Sequence, residues 1–192
     1  MKDTRDSVAW ALLATLPPIL IAGCFWYSSA PDFRKDNLKE VAVIWDRIST
    51  NDVVEKMAWT TTNPVQLAGL RDVLDTTSYE SLSVLLKGDT TRIIVLTQGG
   101  DHWEMGLYGD EEARKLSMFN RIDPGKAGVI RKPGIFVKCL TDMIASNSQY
   151  QVDLSADVDS KRCELGLKRI VPDDVKKLMA RFPEYKLSLI HI

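Results

Sequence analysis

A chain of 192 residues that sets 25 Lys and Arg against 26 Asp and Glu carries a formal charge of −1. That balance gives no electrostatic reason to expect nucleic acid or anionic lipid as a partner, so no nucleic-acid partner is expected. The length suits one domain of ordinary size with an appendage.

The appendage comes first. No charged residue occurs from Ser7 to Ala30, and a helix needs about 20 mostly apolar residues to cross a bilayer. Trp10 lies near one end of the stretch 8–28 and Trp26-Tyr27 at the other, where amphipathic rings favour the membrane interface. Pro17-Pro18 would be tolerated poorly in a soluble helix. The run Ile19-Leu20-Ile21-Ala22-Gly23-Cys24 also resembles a bacterial lipobox, with Cys24 as the lipid attachment site. Lys2 and Arg5 precede it as in a signal peptide, although Asp3 and Asp6 cancel their charge and Phe25-Trp26-Tyr27 is an unusual start for a mature lipoprotein. Residues 1–28 are therefore read as a signal anchor or a lipoprotein signal, and both readings stand. Basic residues before the stretch (Lys2, Arg5) and after it (Arg34, Lys35, Lys39) nearly balance, so orientation rests on the lipobox-like ending and on the cysteines. With Cys24 lipidated, Cys139 and Cys163 remain, 24 positions apart. In an oxidising compartment they suit one disulfide worth roughly 3 kcal/mol in the chain-entropy model; two separate buried thiols are the other reading. The expected location is membrane-anchored, with the body extracytoplasmic in the cell envelope.

At the other end, residues 187–192 read LSLIHI, which resembles the translation of a sequencing-library adapter. They are set apart from the fold, which leaves a single domain over 38–186 and makes His102 the one histidine to consider.

Residues 29–37 are polar and read as a tether. The stretch 38–48 places Val41, Val43 and Trp45 on one side of a strand, although Val41, Ile44, Trp45 and Ile48 also share a helical face; strand is favoured. Residues 53–61 are rich in β-branched and aromatic side chains and read as a second strand. Asn63-Pro64-Val65-Gln66 supplies an N-cap, a proline at N1 and a glutamine able to close a capping box. The helix runs to about residue 75 on Leu67, Leu70, Val73 and Leu74. A meander is expected next: strands at 82–87, 92–98, 102–108 and 115–120, with turns at Gly88-Asp89, Gly99-Gly100-Asp101 and 109–114. A short strand near 129–131 precedes a helix at 135–145, in which Ile135, Cys139, Met143 and Phe136, Leu140, Ile144 recur at four-residue spacing. Residues 149–154 alternate like a strand, and a last helix occupies 175–182 behind Pro172-Asp173-Asp174. The fold class is α+β: an N-terminal anchor, then an antiparallel meander packed by two or three helices.

Chemistry-bearing motifs are few. Ser-His-Asp and Cys-His constellations would both need His102. No C-x-x-C or H-E-x-x-H occurs, so no metal and no cofactor are expected. Asp153, Asp157, Asp159 and Glu164 hint at calcium, but Lys161 and Arg162 occupy the fifth and sixth loop positions counted from Asp157. Gly125-Lys126-Ala127 lacks the rest of a phosphate-binding loop. Asp110-Glu111-Glu112 reads as a soluble turn; as an acid–base pair it would suit glycoside hydrolysis, with nothing to fix the spacing. Trp45, Trp59 and Trp103 read as core, or as an aromatic binding face if they share a surface.

Asn63-Pro64-Val65-Gln66 and Gly88-Asp89-Thr90-Thr91-Arg92-Ile93-Ile94 loosely resemble small bacterial lipoprotein and secreted domains of unassigned function. The resemblance implies a fold type and a location, and transfers no catalytic residue. The functional expectation is a non-enzymatic envelope module that binds a protein partner through its sheet, with His102, Trp103 and Glu104 as the ligand surface and the membrane as a second partner. A hydrolase built on carboxylates of the 101–112 region is the alternative. A cytoplasmic body with reduced, separated cysteines is a third.

Overall fold

A computed structural model describes residues 33, 36–77, 79–81, 91–108, 115–123, 126–147, 150, 152, 154 and 166–182. The stretch 8–28, Cys24, Cys163, the acidic turn 110–112 and residues 187–192 lie outside these. Among the described residues no helix is long and apolar enough to cross a membrane.

The centre of the molecule is β1 (Leu38–Ile48), an apolar run buried along most of its length on both faces. It pairs antiparallel with β2 (Val54–Thr61), with Val43 opposite Trp59, and with β4 (Arg92–Thr97), with Val43 opposite Ile93. Burial on both faces explains why a helical stripe was also legible there: every apolar position is used. From β4 the chain meanders through β5 (His102–Tyr108), β6 (Lys115–Asn120) and β7 (Ala127–Ile130). The short β3 (Tyr79–Ser81) closes that end on β7. The order is β3-β7-β6-β5-β4-β1-β2-β8. Seven strands pair antiparallel and the two-residue β8 (Arg169–Ile170) joins β2 in parallel, so the sheet is mixed rather than purely antiparallel.

Two expectations need correction. Both edges of β4 are occupied, by β1 and β5, so β4 is not paired across a Gly88-Asp89 hairpin; residues 82–90 themselves lie outside the described residues. Tyr150, Val152 and Leu154 belong to no strand. Their apolar groups pack from a loop instead, Tyr150 edge-on to Trp45 with ring centroids 5.7 Å apart.

The alternation of the strands sorts side chains into two layers. On one face Val41, Val43, Trp45, Ile93, Val95, Trp103, Met105, Leu107, Leu116 and Met118 meet helices α1 (Pro64–Asp75) and α2 (Gly134–Ala145). Each helix contributes a narrow stripe, Leu67, Leu70 and Leu74 from α1 and Phe136, Leu140 and Ile144 from α2. Of the two apolar rows in α2 the Phe136 row is fully buried, while in the other Ile135 is exposed and Cys139 and Met143 pack half-buried against the core. The Asn63 side chain caps α1, accepting from the amides of Val65 at 2.9 Å and Gln66 at 3.4 Å. The capping box is not closed: the Asn63 amide donates to Thr61 Oγ1 (3.1 Å), and the Gln66 side chain accepts from the Thr61 hydroxyl. Thr61 thus takes the place of the glutamine.

The opposite face receives α3 (Asp173–Arg181), with acids in its first turn and Arg181 in its last, as its dipole favours. Phe182, at its end, seals a small apolar patch with Ala42, Ile44 and Ile94. The described part of the expected tether is not free. Phe33 is buried against Trp103 and Tyr79. Asp36 accepts from the Gly99 amide at 2.7 Å, and a Cβ at Gly99 would fall 2.5 Å from that carboxylate, which explains the glycine there.

Candidate functional site

The three residues expected to form a ligand surface fall on different sides of the sheet. Trp103 is 2% exposed and points into the helix-covered core. Trp45 and Trp59 are buried in the same core, so the tryptophans form no aromatic face. Strand alternation sends His102 and Glu104 to the α3 side. Glu104 is not a surface group there either, at 3% exposed. Its Oε1 accepts from Arg92 Nη2 of β4 at 2.6 Å and from Arg121 Nη1, just beyond β6, at 3.2 Å. His102 Nε2 lies 3.8 Å from the same oxygen, and the imidazole stands edge-on to Phe182 with centroids 5.7 Å apart.

Two further carboxylates share this face, both from β1. Glu40 accepts from the Thr60 hydroxyl at 3.0 Å and from Arg181 of α3 at 2.9 Å. Asp46, whose side chain is 0% exposed, lies 3.0 Å from the Lys56 ammonium and also accepts from Arg169 of β8. Each carboxylate is met by a cation from a strand or helix that arrives later in the chain, or from the neighbouring strand. A buried charge without a partner would be strongly destabilising, so these nodes fasten α3 and β8 to the sheet. Periodicity could not reveal the pairs. The one local sign was charged residues at alternating positions inside apolar strands: Glu40 and Asp46 flank the apolar run of β1, and Glu104 sits inside that of β5.

Burial lowers the His102 pKa below the ordinary 6.5; Glu104 opposes the shift, and Arg121 and Arg92 reinforce it. A folded-state pKa below the unfolded one means that the unfolded chain takes up the proton first as the pH falls. His102 therefore contributes stability above its unfolded pKa, and that stability is lost on acidification below it. Between about pH 7.5 and about pH 5.5, the melting temperature of the native chain should fall more steeply than that of a His102→Gln variant. Parallel curves by differential scanning calorimetry would refute this. His191 is common to both chains and cancels in the comparison.

The remaining expected site residues are dispersed. Asp101 accepts from Asn120 Nδ2 at 2.6 Å and lies 3.6 Å from Lys126, locking the turn between β4 and β5. Cys139 is a half-buried free thiol on α2, and burial raises its pKa, which makes it a poor nucleophile. Cys163, its candidate partner, lies outside the described residues.

Two clefts open among the described residues. One, of about 310 Å³, lies at the start of α1 between Lys39, Arg71 and Gln98. The other, of about 440 Å³, runs beside β2. It is lined by Ala58, Trp59 and Thr60, by Asn147 and Tyr150 beyond α2, and by Lys177, Leu178 and Arg181 of α3. Both volumes lie within the range of ligand-binding clefts. Comparison of the chain with protein-family models, with curated proteins and with solved structures gave no match.

Proposed function

We propose that the chain is a membrane-tethered envelope protein whose extracytoplasmic α+β body binds a protein partner and carries out no covalent chemistry. The observation that carries the binding reading is the cleft beside β2, where backbone, aromatic and cationic groups converge. The carboxylates of the α3-side face are engaged with Arg92, Arg121, Arg181, Lys56 and Arg169, an arrangement suited to holding elements together rather than to exchanging protons with a substrate. The location rests on the charge-free stretch 8–28 and on its lipobox-like ending at Cys24.

Expression of the full chain in a bacterium tests the reading. The protein should fractionate with membranes, and protease added to intact spheroplasts should cleave the body. Intact mass then separates the two tethers: acyl chains lost in Cys24→Ser identify a lipoprotein, and an unacylated full-length species identifies a spanning anchor. A body protected until the cells are lysed, or a chain found in the soluble fraction, would overturn the proposal.

A further inference from the structure

Among the described residues, the outer edge of β2 is only partly used. Along its inner edge, β2 pairs with β1 from Val54 to Thr61. On the outer edge β8 takes Val54 and Glu55 alone, aided by the Val54 amide donating to the Lys168 carbonyl at 3.0 Å. β8 stops because Val171 and Pro172 follow it: proline has no N–H to give a ladder, and α3 begins at the next residue and crosses the sheet face. From Lys56 to Thr61 the outer edge has no strand partner among the described residues.

The 440 Å³ cleft lies at this place. It touches Ala58, which faces the α3 side, and Trp59, which faces the α1–α2 core. A cavity that meets both faces of one strand lies along its edge. It continues the line of β8, with Lys177 and Leu178 as one wall and Tyr150 as the other.

We propose that this groove takes an extended segment of a partner protein, added to β2 as a strand in line with β8. This rests on the binding-module reading above and names its mode. The N–H and C=O groups of Lys56, Ala58 and Thr60, in phase with the outward Val54 amide and without a strand partner among the described residues, would supply main-chain hydrogen bonds, and alternate side chains of the guest would fall toward α3 and toward Tyr150. Charge sets the preference. Lys177 is exposed with no acid paired to it among the described residues, and Arg181 is exposed beyond its contact with Glu40. Asp174, one turn before Lys177, is the single acid lining the groove. The guest segment therefore carries an acidic side chain on its α3-facing row.

The test uses the full chain in detergent micelles and a displayed library of random nonapeptides. Enriched peptides should carry an acid within an alternating pattern. Their binding should weaken about fivefold or more in Lys177→Glu, the size of an exposed ion pair turned repulsive. A peptide with the acid changed to lysine should bind Lys177→Glu better than it binds the native chain. Amide exchange at Lys56, Ala58 and Thr60 should slow when peptide is added. No enrichment, or equal binding to both chains, overturns the proposal. So does a free chain in which the Lys56, Ala58 and Thr60 amides are already protected: as a monomer its own residues would cover the edge, and as a dimer a second copy would. Neither failure bears on membrane location, which the spheroplast experiment reads separately.

Discussion

Replacement of Glu104 by alanine is expected to lower the unfolding free energy by about 3 kcal/mol, the lower end of what breaking a buried ion pair costs. The carboxylate is nearly inaccessible, and its loss leaves the Arg92 and Arg121 guanidinium groups facing each other across an emptied site. Those side chains are 17% and 20% exposed, so water can reach them and the penalty stays below that of a fully dry pair. Glu104→Gln keeps the volume and one acceptor and should cost less. Urea denaturation with an unchanged slope checks both variants. A loss below about 0.5 kcal/mol, the scale of an ordinary surface change, would mean that the node is solvated and fastens nothing.

Asp46→Ala is the second large effect, expected at about 3–5 kcal/mol. Its side chain is wholly buried, and the Lys56 side chain beside it is 9% exposed, so the substitution strands a cation in the interior. It also removes an acceptor of Arg169, and with it one side-chain tie that, beside the backbone ladder, sets β8 against β2. The double variant Asp46→Ala, Lys56→Met should be less destabilised than Asp46→Ala alone, because the stranded charge goes with its partner. A double variant as unstable as the single one would show that the cost lies in lost packing rather than in charge.

What could be read from the sequence was whatever is written within a dozen residues. Asn63-Pro64 marked the start of α1. Alternation marked β4, β5 and β6, and the Phe136-Leu140-Ile144 row marked α2. Pairing over long distances was not legible. β1 sits between β2 and β4, and no local pattern tells Val41 that its neighbour is Val95, which lies beyond β2 and α1 in the chain. For the same reason the local pattern predicts a hairpin before β4, where the neighbour is β1. The charged face was harder still. Asp46 and Arg169 are 123 positions apart, and a lone Asp inside an apolar strand reads the same whether it meets water or a guanidinium. His102, Trp103 and Glu104 are consecutive, and in a strand consecutive side chains part company.

The burial of Phe33 also limits where the body can go. Only five positions separate it from residue 28, the end of the expected anchor. Even fully extended, such a leash reaches about 18 Å. If residues 8–28 hold the membrane, the body rides at the lipid surface and cannot swing far into the compartment. Its partners would then be met almost in two dimensions, at an effective concentration set by the membrane rather than by the bulk phase. A weak groove would suffice for a neighbour confined to the same layer, and a freely diffusing protein of equal intrinsic affinity would rarely occupy it.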